Sequence, residues 1–185
     1  IAKLDNWCGD NNVVLHTHPG ITAVPPNSIS PAGGSEYKVF TPYWRSWLKT
    51  PKRSLLSAPT SLSAAAAPPP SSYFASTALP DSPLIGGESH GYERLHYWLN
   101  NELGFYAETR DYPATDETSQ LSPYLHFGCI SPLRLVEQAS QLPESEPFIR
   151  QVVWRDFYAQ ILNAHPTAAR RDYRDRGDVW QYDPA

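Results

Sequence analysis

The chain has 185 residues, of which 41% are hydrophobic, and a formal net charge of −4 at pH 7. This length and composition predict a globular unit of ordinary size with a buried core. The acidic balance excludes a surface that is basic overall, so any nucleic-acid binding has to come from a local patch. No run approaches the roughly 18 apolar residues of a membrane span, and the N-terminus lacks the regions of a signal peptide. We expect no membrane partner and a cytoplasmic protein, or a nuclear or organellar one in a eukaryote.

The methionine and cysteine content indicates whether the sequence is a piece of a longer protein and in which redox compartment the protein lies. The sequence begins with Ile1 and contains no Met, so we expect it to be a piece of a longer protein. Cys8 and Cys129 lie far apart in unrelated contexts, which argues against a disulfide framework or a zinc site. This pattern favours a reducing compartment.

The first segment contains one strand candidate. Residues 12–18, NVVLHTH, are rich in β-branched residues and end at Pro19-Gly20, so they predict a β-strand from the end of an α/β layer. His16 and His18 would share one face of that strand, and such a pair can bind a metal. Because no third ligand lies nearby, we favour an exposed strand face over a metal site.

An aromatic segment follows a Pro/Gly-rich turn region. Residues 37–40 alternate like a short strand, and Pro42 is suited to the start of a helix. That helix would carry Tyr43, Trp44 and Trp47.

Residues 51–87 are dominated by Pro, Ser and Ala. Such a composition cannot bury enough apolar surface to offset the entropy of ordering. We therefore expect a linker that runs over the surface.

Helical periodicity begins at residue 88. Apolar residues recur at spacings of three and four, which predicts an amphipathic helix with Gly104 as its C-cap. A short helix over 122–127 would begin at Ser122 and stop at Gly128. The next helix would begin at Ser131 and end before Pro143. The predicted inward positions of these helices are Tyr92, Leu95, Leu99, Leu103, Leu133, Val136 and Ala139.

A long helix is predicted from Pro147 to about Ala164, and its two sides differ. One side carries Ile149, Val152, Val153 and Phe157. The other carries Gln151, Trp154, Arg155, Tyr158 and Leu162. Such a side can stack on an aromatic ligand or an extruded base, form hydrogen bonds with its edge and neutralise a negative charge next to it. The alternative is a helix buried between two layers, with Arg155 paired to a carboxylate.

The stretch before the short helix offers a second candidate site. Thr118, Ser119 and Ser122 place hydroxyl donors beside the free N–H groups of a helix start, an arrangement that attracts anionic oxygens such as those of a diphosphate. Simple N-capping is the alternative. Upstream, Tyr106 and Arg110 lie in a mixed loop of a kind that is more often a solvated surface.

The chain resembles the photolyase/cryptochrome flavoprotein family in four segments that occur in the family's order and with similar spacing. They are YKVFTPYWRSW at 37–47, YAETRDYP at 106–113, TSQLSPYLHFGCISP at 118–132 and FIRQVVWRDFYAQIL at 148–162. The resemblance covers nearly the whole chain outside the linker.

The resemblance implies a fold that is mainly α and that follows the end of an α/β domain. Residues 1–48 would be the C-terminal remnant of the α/β domain, which often holds a folate or deazaflavin antenna. Residues 49–87 would be the linker, and residues 88–185 the first part of the helical domain that binds FAD. The remaining helices would follow residue 185, so we expect the isolated chain to expose half of a flavin cleft and to bind FAD poorly.

The same resemblance implies the roles of individual residues. The positions expected to contact FAD are Tyr106, Thr118, Ser119, Gln120, Leu121, Ser122, Phe148 and Gln151. The positions expected to contact DNA are Arg110, Gln151, Trp154, Arg155 and Tyr158. Among these, Trp154 would stack on a flipped-out pyrimidine dimer and Arg110 would lie near the DNA backbone. No side chain is expected to act as a catalytic nucleophile or to bind a metal.

Two positions depart from the family pattern. Gln120 stands where the phosphate loop commonly has Arg, so one cation next to the diphosphate is missing. Gln151 stands where some repair enzymes carry Glu. Its amide can hydrogen-bond a pyrimidine edge, but it cannot donate a proton to an anionic intermediate.

The function implied for the full-length parent is that of a deoxyribodipyrimidine photolyase. This carbon–carbon lyase would act as a monomer on damaged DNA and repair cyclobutane pyrimidine dimers in light, by electron transfer from reduced FAD. The alternative is a cryptochrome, a blue-light receptor without repair activity. A third possibility is a degenerate or truncated gene product with no activity.

Overall fold

The computed structural model describes residues 2–61, 84–112 and 117–174. Within these ranges the chain is helical, and no β-strand is assigned. The α-helices are α1 Ala2–Asp10, α2 Phe40–Lys49, α3 Glu88–Asn101, α4 Tyr106–Thr109, α5 Ser122–His126, α6 Pro132–Ala139 and α7 Glu146–Ala164, with 3₁₀ turns at Leu103–Phe105 and Pro166–Ala169. The mainly α fold class is confirmed, and no helix of the described ranges is long and apolar enough to cross a membrane.

The strand predicted over residues 12–18 is wrong. Asn12 adopts a left-handed conformation with φ of 54°, and the Val13 N–H donates to the Cys8 carbonyl oxygen at 2.8 Å. This is the hydrogen-bond pattern that closes the C-terminus of a helix, here α1. The residues that follow have no regular secondary structure, and no strand in the described part of the chain pairs with them. Their β-branched side chains are exposed, Val14 by 74%.

The short strand predicted over residues 37–40 is also wrong. Phe40 already begins α2, and the backbone of Tyr37 is paired with a side chain instead of a strand. The Tyr37 N–H donates to Gln160 Oε1 at 3.1 Å, and Gln160 Nε2 donates to the Tyr37 carbonyl oxygen at 2.7 Å. The amide of a glutamine on α7 therefore satisfies the groups that a neighbouring strand would satisfy.

The helices predicted from periodicity are confirmed, with small shifts at their ends. The helix that begins at residue 88 ends at Asn101, before the predicted Gly104, which lies in the following 3₁₀ turn. Gly128, with φ of 71°, ends the short helix as predicted, whereas Ser122 is its first residue and makes no side-chain cap. Ser131 caps α6 by accepting from the Arg134 N–H at 3.4 Å. The predicted inward positions that are buried are Leu95, Leu99, Leu103, Leu133, Val136 and Ala139.

α2 and α7 form the centre of the aromatic core. The predicted aromatic residues of α2 are all buried, and so is the predicted apolar side of α7. Phe157 of α7 makes edge-on contacts with Phe40 and Tyr43 of α2 at centroid distances of 5.8 and 5.5 Å. Aromatic pairs of this geometry stabilise beyond the area that they bury. Most of the predicted linker, residues 62–83, lies outside the described residues, and the domain boundaries at 48 and 87 stay predictions.

A buried carboxylate joins α7 to the segments that precede it. Asp156 is 1% exposed, and its two oxygens accept from the backbone N–H groups of Ala23 at 3.2 Å and Val24 at 2.9 Å and from the Trp47 indole at 2.9 Å. Burial raises the pKa of Asp156, and these three hydrogen bonds oppose that shift by favouring the ionised form. Asp156 therefore fixes α2 and residues 23–24 against α7.

We predict that Asp156→Asn lowers the free energy of unfolding by about 2 to 4 kcal/mol, because the amide presents its NH₂ group to at least one of the three donors. Denaturant unfolding monitored by tryptophan fluorescence measures the change. Asp10→Asn at the exposed end of α1 is the matched control and should stay within about 0.5 kcal/mol of the parent chain. Equal stability of the two variants would contradict the role of Asp156.

A second stability prediction concerns Gly91, which lies in α3 against α5 and the residues after it. A Cβ atom at Gly91 would lie 2.9 Å from Ile130 Cγ2 and 3.0 Å from Tyr124 Cδ1. Gly91→Ala should therefore destabilise the fold by about 1 to 3 kcal/mol, although alanine is the better helix former. Gly9→Ala in α1 meets nothing within 4 Å and should stabilise by up to about 1 kcal/mol. Thermal unfolding of both variants tests the opposite signs.

Candidate functional site

Trp154 is the central aromatic residue on the partly exposed side of α7. The Phe40 ring stacks on the Trp154 ring, with centroids 3.8 Å apart and planes 8° from parallel. Phe157 contacts it edge-on at 5.3 Å, and Tyr158 lies at 5.5 Å. These contacts fix the plane of the indole while Trp154 stays only partly buried. The arrangement provides a rigid aromatic surface on which a flat group can stack.

A cavity of about 300 Å³ lies beside Trp154. Arg110, which follows α4, contributes to its wall together with Arg150 and Gln151 of α7. The structure therefore brings together three of the predicted DNA-contacting residues, Arg110, Gln151 and Trp154. A cation, an amide and an aromatic ring around one space can recognise a flat, hydrogen-bonding group that carries an anion.

Tyr158 and Trp154 also line a second cavity, of about 540 Å³. Tyr158 is 60% exposed, and the charged residues that line the same cavity are Lys38, Arg174 and the acidic Asp172. Trp154 is thus common to both cavities, and a ligand on its surface has open space along α7 in two directions.

Arg155, the fifth predicted DNA-contacting residue, is held by backbone groups. Its guanidinium donates to the Ile21 carbonyl oxygen at 3.4 Å and to the Leu125 carbonyl oxygen at 3.2 Å. Burial lowers the pKa of Arg155. The acceptors are carbonyl groups instead of the carboxylate considered from sequence, and Arg155 does not line either cavity at Trp154. Its contact with DNA stays a prediction.

The turn over residues 118–122 is held by an arginine that the sequence analysis missed. Arg94 of α3 donates from Nη2 to the Thr118 carbonyl oxygen at 2.7 Å and from Nε to the Ser119 carbonyl oxygen at 3.1 Å. The Ser119 hydroxyl accepts from the Leu121 N–H at 3.5 Å. Gln120 is exposed and takes a left-handed conformation with φ of 52°. The turn therefore has a fixed shape, with a guanidinium next to it and with its hydroxyl-bearing side chains at or near the surface.

Tyr106 and Phe148, both predicted to contact the cofactor, lie against each other. Their rings meet edge-on at 5.6 Å, and Trp98 of α3 contacts Phe148 at 4.0 Å and Tyr106 at 5.6 Å. Burial raises the pKa of the Tyr106 hydroxyl. Phe148 is buried, so the cluster presents Tyr106 as its partly exposed member. The Trp98 indole N–H is buried and has no acceptor among the described residues.

The structure does not join the turn at 118–122 to the cavities at Trp154. No residue of that turn lines either cavity, and the contacts of the turn with a cofactor stay a prediction. His16 and His18 are exposed, and the described ranges contain no group of three or more His, Cys, Asp or Glu side chains arranged to hold a metal ion.

Comparison with known proteins gives the family. The family model described as DNA photolyase matches residues 1–69. The deoxyribodipyrimidine photo-lyase of Streptomyces griseus is 36% identical over 187 residues, which cover 94% of this chain and 40% of that protein. A bacterial class III photolyase from Agrobacterium tumefaciens superposes with a TM-score of 0.82 at 25% identity, over 98% of this chain and 41% of that structure. The chain belongs to the photolyase/cryptochrome family.

A cryptochrome from Synechocystis sp. PCC6803 shares the fold of this photolyase/cryptochrome chain. It superposes with a TM-score of 0.62 at 23% identity, over 85% of the chain and 37% of that structure. The chain spans about 40% of the length of the curated relatives that it matches.

We predict that Arg94→Gln loosens the turn at 118–122 of this photolyase/cryptochrome chain, because the shorter amide cannot reach both carbonyl groups. Hydrogen bonds from a charged donor contribute about 1.5 to 3 kcal/mol, so amide hydrogen exchange in the turn should accelerate by about tenfold or more. Arg134→Gln on the exposed surface of α6 is the control. Unchanged protection of the turn in Arg94→Gln would show that Arg94 does not hold it.

Proposed function

We propose that the full-length protein containing this chain is a deoxyribodipyrimidine photolyase that repairs cyclobutane pyrimidine dimers in DNA with light and reduced FAD. The observation that carries this proposal is the cavity shared by Arg110, Gln151 and Trp154, with the Trp154 ring backed by Phe40 at 3.8 Å. Enzymes that act on a base inside DNA have to take it out of the stack, and the extruded base needs an aromatic surface and a polar edge to receive it.

Each residue of this cavity has a distinct part in holding the lesion. Trp154 stacks on the extruded dimer, and Phe40 prevents its indole from turning away. Gln151 donates from its NH₂ group to a pyrimidine carbonyl and accepts a pyrimidine N–H at its oxygen. Arg110 pairs with the DNA backbone. Tyr158 extends the aromatic surface, and Arg155, whose guanidinium is tied to two carbonyl groups, contributes positive charge behind it.

Two observations support the binding of FAD by the residues that the resemblance implies. The turn at 118–122 offers hydroxyl groups next to the guanidinium of Arg94, and the Trp98 indole N–H beside Tyr106 and Phe148 has no acceptor among the described residues. Tyr106, Phe148 and Gln151 would lie along the flavin, and the hydroxyl-bearing turn would hold the diphosphate. When bound, reduced FAD supplies the electron for ring cleavage and receives it back.

Arg94 partly replaces the positive charge that is missing at Gln120, where the family commonly has Arg. The cation that the family commonly has in this turn is replaced by an amide at Gln120, but Arg94 places its guanidinium within hydrogen-bond distance of the turn's carbonyl groups. Positive charge close to the turn favours an anion there whichever residue supplies it. The diphosphate site therefore keeps part of its electrostatic attraction.

The wider organisation of the protein follows from the same proposal. Residues 1–48 belong to an α/β domain that holds a folate or deazaflavin antenna, residues 49–87 connect the domains, and residues 88–185 begin the FAD-binding helical domain. The protein acts as a monomer in the compartment that holds the DNA.

A repair assay tests the proposal. The full-length protein, loaded with FAD and reduced without oxygen, is mixed with an oligonucleotide carrying one thymine dimer and illuminated with blue light. We expect light-dependent recovery of the two thymines, measured by chromatography. Failure to repair by protein that retains FAD would favour a blue-light receptor instead.

The affinity of the full-length, FAD-loaded protein for the same thymine-dimer oligonucleotide, measured by fluorescence anisotropy, tests the role of Trp154. Base stacking on an aromatic side chain contributes about 1 to 3 kcal/mol, so Trp154→Leu should weaken binding of dimer-containing DNA by about tenfold to a hundredfold. Tyr97→Leu is the control, since Tyr97 is also an exposed aromatic residue but lies on α3 outside the described cavities at Trp154. Equal loss in the two variants would contradict a specific role of Trp154.

A further inference from the structure

Arg150 is an arginine of α7 that lines the 300 Å³ cavity but was not expected to bind anything. It lies one turn before Trp154 on the helix, and Arg110 reaches the same cavity from the end of α4. Residues four apart on a helix are neighbours on one face. Two arginines and one aromatic residue therefore line the same cavity.

The Arg150 guanidinium is held by aromatic rings instead of by acceptors. Its central carbon lies 5.8 Å from the centroid of the Phe40 ring and 5.9 Å from the Trp44 ring. Within the described ranges it makes no hydrogen bond and no ion pair, whereas Arg94 and Arg155 each donate to two carbonyl groups. Cation–π contacts fix the position of a guanidinium and leave its N–H donors available.

The charge around the cavity favours an anion. Arg110 and Arg150 contribute two positive charges, and Glu146 is the one acidic residue among the described residues that line it. Asp111 comes within 3.9 Å of Arg110, but its side chain is 82% exposed, so solvent screens that pair. The chain as a whole carries a net charge of −4, and this cavity is thus a local positive site on an acidic protein.

The shape of the donors suits a phosphate. A guanidinium presents parallel N–H groups that match two oxygens of a phosphodiester, and two guanidinium groups can hold one phosphate from different sides. Two phosphate sources are relevant here, the damaged strand and the FAD diphosphate. The damaged strand fits better, because the cavity contains Trp154 and no residue of the turn at 118–122.

We propose that Arg150, together with Arg110, binds a phosphodiester of the damaged strand next to the extruded base, an inference that rests on the proposed function. Phe40 links phosphate binding to base stacking, because its ring contacts both residues. The Arg150 guanidinium lies 5.8 Å from the Phe40 centroid, and the Trp154 ring stacks on Phe40 at 3.8 Å. Arg150 is a positioning residue that fixes the strand so that its extruded base meets the indole.

The salt dependence of DNA binding tests this proposal. Fluorescence anisotropy measures the affinity of the full-length, FAD-loaded protein for a single-stranded oligonucleotide with one thymine dimer, between roughly 50 and 200 mM salt. Arg150→Gln should weaken binding by about tenfold at low salt and reduce the slope of log K against log salt by about 0.7, the value for one lost phosphate contact. Arg150→Lys should keep the salt-dependence slope and lose part of the affinity, because lysine retains the charge but lacks the paired N–H donors of the guanidinium.

Controls separate the possible outcomes. Arg45→Gln, an exposed arginine of α2 that lines none of the cavities described above, should bind like the parent protein. An unchanged slope in Arg150→Gln would overturn the proposal, and so would loss of FAD with an unchanged slope, which would assign Arg150 to the cofactor diphosphate. If the parent protein binds damaged and undamaged strands equally, the proposed function fails, while the slope of Arg150→Gln still reports whether Arg150 contacts phosphate.

Discussion

The position of every candidate site residue on α7 depends on the buried carboxylate of Asp156. Its three hydrogen bonds to Ala23, Val24 and Trp47 fix the rotation of the helix about its axis. Each residue of an α-helix turns by about 100°, so Trp154, two positions earlier, points about 200° away from Asp156. Burial of the carboxylate therefore turns the indole towards the surface. The three donors that converge on Asp156 and the nearby charge of Arg155 oppose the desolvation of its ionised carboxylate.

Gln160 extends this docking by one turn. It lies four residues after Asp156, on the same face, and pairs both backbone groups of Tyr37. Tyr37 directly precedes the residues that lead into α2, so the pairing sets where α2 begins and where Phe40 lies. Phe40 then stacks under Trp154. Two buried polar side chains on one face of α7 thus organise the aromatic surface on the opposite face, although neither of them touches a candidate ligand.

The sequence predicts the helices well and the long-range polar contacts poorly. α3, α6 and α7 follow from apolar spacing and from caps such as Ser131, because these signals are local. The strand over 12–18 failed because β-branched composition needs a partner strand, and the described chain provides a helix end at Asn12 instead. Asp156 and Arg94 were missed for a related reason. Their partners are distant in sequence, so no periodicity marks them, and a polar residue on a helix is ordinarily exposed.

In the candidate site, too, the local helix pattern was predicted and the long-range contacts were not. The exposed side of α7 was predicted with Gln151, Trp154, Arg155 and Tyr158, whereas Arg150 was given no role. Arg150 and Arg155 are five residues apart and therefore point about 140° from each other, and what each meets decides its chemistry. Arg155 meets the carbonyl groups of Ile21 and Leu125, which occupy its donors. Arg150 meets the ring faces of α2, which hold it without occupying them. An arginine packed on aromatic faces beside a cavity is therefore better prepared to receive an anion than one that already donates to the backbone.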